Sequence, residues 1–150
     1  MYLAGRVQIR PVQSADLDRI LEIERASFDA DAWDLKLFLE YLRRCPDLFL
    51  VARRARRIAG YIITCTGPRN TELVSIAVDP RDRQRGLGRA MLDETLALLR
   101  SRRVRSWWLM VATDNEPAIR FYEDYGFIRT RRSKRYYGPG RDAWRMRFRL

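Results

Sequence analysis

The stretch Leu73–Ala90, LVSIAVDPRDRQRGLGRA, joins an apolar strand to Asp79-Pro80, a run of basic residues, and Gly86-Leu87-Gly88 at the start of a helical pattern. Glycines let a backbone come close to a ligand, successive N–H groups then point one way, and a helix N-terminus adds its positive dipole end. With Arg83 and Arg85 beside it, such a loop is an anion cradle suited to a pyrophosphate. The spacing is neither that of a Walker loop, which needs Gly-Lys-Ser/Thr, nor that of a dinucleotide fingerprint, which needs a third spaced glycine after an N-terminal strand.

The chain contains no histidine and two cysteines, Cys45 and Cys65, outside any CxxC. Zinc-finger spacing, histidine metal sites and Ser-His or Cys-His pairs are thereby excluded, so chemistry here falls to carboxylates, tyrosines, thiols and backbone. The cysteines lie beside apolar residues and read as two buried free thiols in a reducing cytoplasm. No metal is expected.

These residues need elements to position them. Val7–Arg10 reads as a strand closed by Pro11, and Ser14 as the cap of a helix with Leu17, Ile20, Leu21, Ile23 and Phe28 at helical spacing. Asp34 opens a second helix carrying Leu35, Phe38, Leu39 and Leu42, followed by Pro46. Leu48–Ala52 and Ile58–Thr66 flank the turn RRARR as a hairpin, and Glu72–Val78 is a further strand. Leu87 to Arg102 reads as a helix, Trp107–Ala112 as a strand, and Asn115 to Tyr125 as a helix with Pro117 at its start and Gly126 at its C-cap. Phe127–Arg135 and Ala143–Leu150 alternate basic and apolar residues like strands with one wet face. The order β-αα-βββ-α-β-α-ββ predicts one α/β (α+β) domain over residues 1–150 around a mixed sheet.

In this order, strand, Val-Asp-Pro, then R/Q-x-x-G-x-G and an amphipathic helix resemble the acetyl-CoA signature of the GNAT N-acetyltransferase superfamily. IRPVQSADLDRILEIERASF resembles that family's first strand and helix, and NEPAIRFYEDYGF its later helix, so the resemblance covers nearly the whole chain. It implies a central mixed sheet of about seven strands flanked by four helices, with strands splayed at the cofactor site and acetyl-CoA as cosubstrate. On the matching positions, Ile76, Ala77 and Val78 would pair with the pantetheine arm. Arg83, Gln84, Arg85, Gly86, Leu87, Gly88 and Arg89 would hold the pyrophosphate, and Asn115 would open the helix beside the cofactor. Tyr122 matches the general acid that protonates the departing thiolate.

Within the superfamily the chain is most similar to the ribosomal-protein-alanine N-acetyltransferase type, through ADLDRILEIERASF, SIAVDP…RQRGLG and RRSKRYYGPGRDAWRM. Tyr136 and Tyr137 match the paired tyrosines that flank the peptide N-terminus there, and Trp33 in FDADAWD matches a substrate-side tryptophan, without the proline usual before it. The type's base glutamate falls on Met110, which cannot accept a proton. Glu72 is the replacement base: TELVSIAV is similar to the strand of the histone-acetyltransferase branch, where a glutamate acts through a water. Period 2 aligns Glu72 with Val74, Ile76 and Val78, and an apolar strand face would raise its pKa toward neutrality. Asp114 and Glu116 read as charges complementing a helix N-terminus.

The implied activity is acetyl transfer by direct attack of a primary amine, the acceptor being a peptide or protein N-terminus. Acetylation of lysine side chains or small amines, and a CoA-binding module whose basic tail contacts nucleic acid, are the other readings. The tail offers nine Lys/Arg between Arg129 and Arg149 against Asp142 alone, interleaved with aromatics; solvent-facing strand charge is the simpler account, and nucleic acid is not the expected partner. Overall, 30 Lys+Arg against 19 Asp+Glu give a net charge of +11, with lysine only at Lys36 and Lys134. No run approaches the roughly 18 apolar residues of a membrane span, and MYLAGRVQIR lacks a signal peptide's apolar core. A cytoplasmic monomer or weak homodimer is expected.

Overall fold

The computed structural model describes residues 7–150; the expectation about the N-terminal segment falls in part on residues 1–6, outside the described residues. The strands are β1 (Val7–Pro11), β2 (Phe49–Arg54), β3 (Arg57–Thr66), β4 (Thr71–Val78), β5 (Ser106–Ala112), β6 (Ile128–Ser133) and β7 (Ala143–Arg149). The helices are α1 (Leu17–Phe28), α2 (Leu35–Arg44), α3 (Leu87–Ser101) and α4 (Glu116–Tyr125). They form one seven-stranded sheet in the order β1-β2-β3-β4-β5-β7-β6. All neighbours are antiparallel except β4 and β5, which makes it the mixed sheet that the resemblance implied.

The alternating strands bury both faces. Leu87, Met91, Leu92, Leu96 and Leu99 of α3 and Ile119 and Tyr122 of α4 pack with Leu50, Ile62, Trp107 and Leu109 on one side. Leu17, Ile20, Leu21 and Ile23 of α1 and Phe38 of α2 pack with Phe49, Val51, Tyr61 and Ile63 on the other. Asp34 caps α2 by accepting from the Leu37 N–H at 3.0 Å, as its type and place predict. The start of α1 departs from the expected Ser14 cap. Gln13 caps a short 3₁₀ turn at Ser14–Asp16, and Asp16 accepts from the Gln13 N–H at 2.8 Å while paired with Arg10. Asp16 wins because its carboxylate gains a guanidinium as well as an N–H.

Two features position the site. First, β4 and β5 pair only at Thr71–Trp107 and Glu72–Trp108 and then separate, since the rest of β5 follows β7. From Leu73 onward, the β5-side edge of β4 has no strand partner among the described residues. Second, the β3–β4 register shifts between Ile63 and Thr64: Ser75 pairs with Ile63 and Leu73 with Thr64, leaving Val74 as the extra residue of a bulge. This corrects the simple period-2 alignment. Glu72, opposite Cys65, shares its face with Ser75 and Ala77 rather than with Ile76 and Val78, because one inserted residue turns the strand over.

The expectation of free thiols is also corrected. Cys45, at the C-cap of α2, is disulfide-bonded to Cys65 of β3, with a Cα–Cα distance of 5.4 Å. The turn at Pro46–Leu48 runs α2 directly into β2, which pairs with β3, so two cysteines 20 residues apart become neighbours. Among the described residues no helix is long and apolar enough to cross a membrane.

Candidate active site

Two cavities meet at the splay. One, of about 530 Å³, is lined by Ile76, Ala77 and Val78, by Arg83, Gln84, Gly86, Leu87, Gly88 and Arg89, and by Asn115, Pro117 and Phe121. Leu87–Ser101 begins at Gly86, whose φ of 78° is left-handed and suits glycine. At Gly88 a Cβ would lie 2.9 Å from the Phe121 ring, so a side chain there would push the ring that walls the cavity. Arg83 donates to the Val78 carbonyl and to Ser27 Oγ, both at 3.1 Å, which holds its guanidinium at the cavity. Arg85 is the exception among the predicted phosphate-loop residues: it is exposed and absent from the lining.

Carboxylates pin this loop from behind. Asp79 pairs with Arg81 and with Arg19 of α1. Asp82, fully buried, pairs with Arg57 at 2.7 Å and Arg54 at 3.1 Å on the β2–β3 hairpin. The Arg81 guanidinium, and Arg19 with it, holds the Asp79 carboxyl far below its usual range. Burial alone would raise Asp82, but its bonds to Arg57 and Arg54 outweigh this and lower it. Unpaired N–H groups, a helix N-terminus and free guanidinium surface fit a pyrophosphate, and the bare strand edge at Ile76–Val78 fits an extended amide-bearing arm.

The second cavity, about 670 Å³, lies on the far side of the splay and carries Trp33, Glu72, Met110, Tyr136 and Tyr137 together with Glu24, Asp31, Ser75 and Arg141. The two cavities share Phe28, Ile76, Asn115, Ala118 and Tyr122. Asn115 caps α4, its side-chain oxygen accepting from the Ala118 N–H at 3.3 Å. Tyr122 is 9% exposed, its ring against Phe121 and Phe127. Burial, and then Tyr137, raise its phenol well above the ordinary value, so it is held protonated.

Trp33 stacks on Tyr41 with centroids 5.2 Å apart, and its backbone N–H donates to Glu24 Oε2 at 3.0 Å. Tyr137 donates to the Met110 carbonyl at 3.3 Å and packs edge-on against Tyr136. Arg141 reaches Asp31 at 3.1 Å, joining the loops after α1 and β6 at the rim. Glu72 faces the cleft at its outer end, where it also borders a side pocket lined by Tyr41, Arg44, Arg69 and Asn70. Burial raises its pKa, and Arg145 opposes the rise.

Glu24 and Ser75 line this cleft and were not singled out from the sequence. The signal for Glu24 was present: positions 17, 20, 21 and 24 recur at helical spacing on the buried side of α1, and a carboxylate there is out of place. It is 1% exposed and accepts from the Tyr61 hydroxyl. For Ser75 there was no such signal, because the bulge decides which way it points.

Comparison with known proteins agrees with this architecture. The family model described as the acetyltransferase (GNAT) family matches residues 16–127. The chain is 34% identical over 147 residues to an N-alpha-acetyltransferase RimI of Mycobacterium tuberculosis, covering 94% of this chain and 91% of that one. It is 38% identical to an uncharacterised protein of Mycobacterium leprae, of whose length it spans 40%. The crystal structure of the ribosomal-protein-S18-alanine N-acetyltransferase from Escherichia coli superposes with a TM-score of 0.85 at 30% identity, over 96% of this chain and 94% of that one.

Proposed function

Because this chain belongs to the acetyltransferase (GNAT) family and so uses acetyl-CoA as acyl donor, we propose that it acetylates the α-amine of a protein or peptide N-terminus, of the ribosomal-protein-alanine kind. The observation that carries this reading is the junction of the two cavities at Ile76 and Tyr122. One cavity suits the cofactor, and the other is an open cleft walled by Trp33, Tyr136 and Tyr137 that a chain end can enter. Similarity to the alanine N-acetyltransferase of Escherichia coli supports the same acceptor class.

The backbone of Ile76–Val78 pairs with the pantetheine arm and orients the thioester, and the loop Arg83–Arg89 holds the pyrophosphate. Glu72 draws the amine as its ammonium, and a carboxylate of the cleft takes its proton before attack. The C–N bond then forms as the C–S bond breaks. Tyr122 gives its proton to the departing sulfur and regains one from the attacking nitrogen, a replacement its high pKa requires. Reaction proceeds in a ternary complex in the cytoplasm, by a monomer or weak homodimer.

A second reading, acetylation of lysine side chains or small amines, rests on Glu72 occupying β4 at the cleft while Met110 stands where the alanine type has its base. Thiol release from acetyl-CoA with N-terminal peptides, lysine peptides and polyamines separates the two. Alanine- or serine-starting peptides are expected to turn over fastest. Preference for polyamines or internal lysines overturns the N-terminal assignment, and release with no amine at all overturns transfer. Glu72→Gln is expected to raise the KM for the acceptor; loss of the acid limb of its pH profile makes Glu72 the base, and an unmoved limb removes it from that role.

A further inference from the structure

Three polar side chains run inward from the acceptor cleft in a single file. Ser75 lines the cleft on β4, one residue before Ile76, where the acceptor cavity and the cofactor cavity meet. Its Oγ lies 2.8 Å from the Tyr61 hydroxyl. Tyr61, wholly buried on β3, donates to Glu24 of α1, which also accepts from the Trp33 N–H and lines the same cleft.

The direction of the hydrogens follows from the bonding. Tyr61 has one hydroxyl hydrogen and spends it on Glu24, which as a carboxylate can only accept. In the Tyr61–Ser75 bond the donor is therefore Ser75. Both hydrogens point toward Glu24, and the Oγ of Ser75, a residue that lines the cleft, keeps lone pairs with which to accept. The file is thus polarised to accept a proton at the cleft end.

Position favours this file over Glu72 for the proton of the attacking amine. Ser75 is one residue from Ile76, about 3 Å along the strand, whereas Glu72 is four residues away, about 13 Å. We propose that Ser75, Tyr61 and Glu24 form a proton relay for the acceptor amine, with Glu24 as the terminal base. The step balances: the ammonium gives a proton to Ser75 Oγ, Ser75 passes its own to the Tyr61 oxygen, and Tyr61 passes its own to the Glu24 carboxylate. Glu24 becomes a neutral acid, the nitrogen gains its lone pair, and the amine attacks. The burial that raises Glu24 above the ordinary carboxylate range suits it to hold that proton. Glu72, at the outer end, attracts the cationic acceptor.

The inference rests on the acetyl-transfer reading, and the test separates the two. Rates are measured against pH, in H₂O and D₂O, for the wild type and for Ser75→Ala, Ser75→Thr, Glu24→Gln and Glu72→Gln, with acetyl-CoA and the best acceptor peptide. Ser75→Ala and Glu24→Gln are each expected to lower kcat about 10- to 100-fold, to lose the acid limb of the wild-type profile and to change the solvent isotope effect, with the KM for acetyl-CoA little altered. Ser75→Thr, which keeps the hydroxyl, is expected to restore both. Glutamine at 24 can accept from the Trp33 N–H and donate to Tyr61, so the fold has a satisfied alternative; if its melting temperature still falls, the Ser75 pair carries the test alone. Wild-type turnover with the Ser75→Ala profile and isotope effect unchanged overturns the relay, as does loss of the acid limb in Glu72→Gln alone. No turnover by the wild type overturns the acetyl-transfer reading, and the relay with it.

Discussion

Tyr122 illustrates what one residue owes to its surroundings. Its ring is held by Phe121 and Phe127, and the residue lines both cavities. Burial keeps the phenol neutral, the form that can give a proton to sulfur. Tyr122→Phe keeps the ring contacts and removes only that proton. It is expected to lower kcat about 100-fold while CoA affinity by calorimetry stays the same; an unchanged kcat would end the acid assignment. The resemblance to the acetyltransferase family singled out Tyr122, Trp33, Tyr136 and Tyr137, and the fold brings all four to one cleft. Glu24 and Ser75 lie within matching stretches but were not legible in that way, because the resemblance assigns neither a role and each acquires one from a residue on another element.

At the scale of elements, helices and strands followed from hydrophobic period and punctuation almost throughout. Gly126 ends α4 at a φ of 124°, as its place after Tyr125 predicts. The irregular joints did not follow. The Val74 bulge depends on how β3 and β4 fit together, and the Gln13 cap on a salt bridge to β1. The disulfide is the plainest case, since spacing alone does not say that Cys45 and Cys65 approach to 5.4 Å. A closed loop of roughly 20 residues is worth about 3 kcal/mol through restriction of the unfolded chain. Cys45→Ser or Cys65→Ser is therefore expected to lower the unfolding free energy measured in urea by that much, and alkylation of the unfolded wild-type chain should label both thiols only after reduction. Equal labelling without reductant would show the bridge unformed.

For the whole molecule, charge divides unevenly. The net +11 surrounds a cleft in which Arg141 pairs with Asp31 and leaves the carboxylates of Glu24 and Glu72, so the cleft attracts an amine that the surface at large repels. On β5 and β7, Arg145 lies 3.7 Å from the centre of the Trp108 ring, with Arg147 also near it, which absorbs part of the tail's surplus in cation–π packing. Asp16, Asp79 and Asp82 are all held below the ordinary carboxylate range by arginines. Groups with a folded pKa below the unfolded one stabilise fully above that unfolded value, near 3.9 for aspartate, and lose the contribution as pH falls through the folded value. Glu24 and Glu72, raised by burial, act with the opposite sign. The melting temperature is expected to change little from pH 7 to 5 and to fall steeply below about pH 4. Asp82→Asn should lower it at pH 7 by the equivalent of about 2 kcal/mol and flatten the acid fall; an unaltered acid profile would show that Asp82 does not hold the loop.

The sequence by itself determined the elements, their order and the phosphate loop, because period, caps and glycines are local properties that any short stretch carries. Tertiary structure alone decided the face of Glu72, the joining of Cys45 to Cys65, and the file from Ser75 through Tyr61 to Glu24. Each of these needs two segments far apart in the chain to meet at a fixed register, and register is set only when the whole sheet packs against its helices.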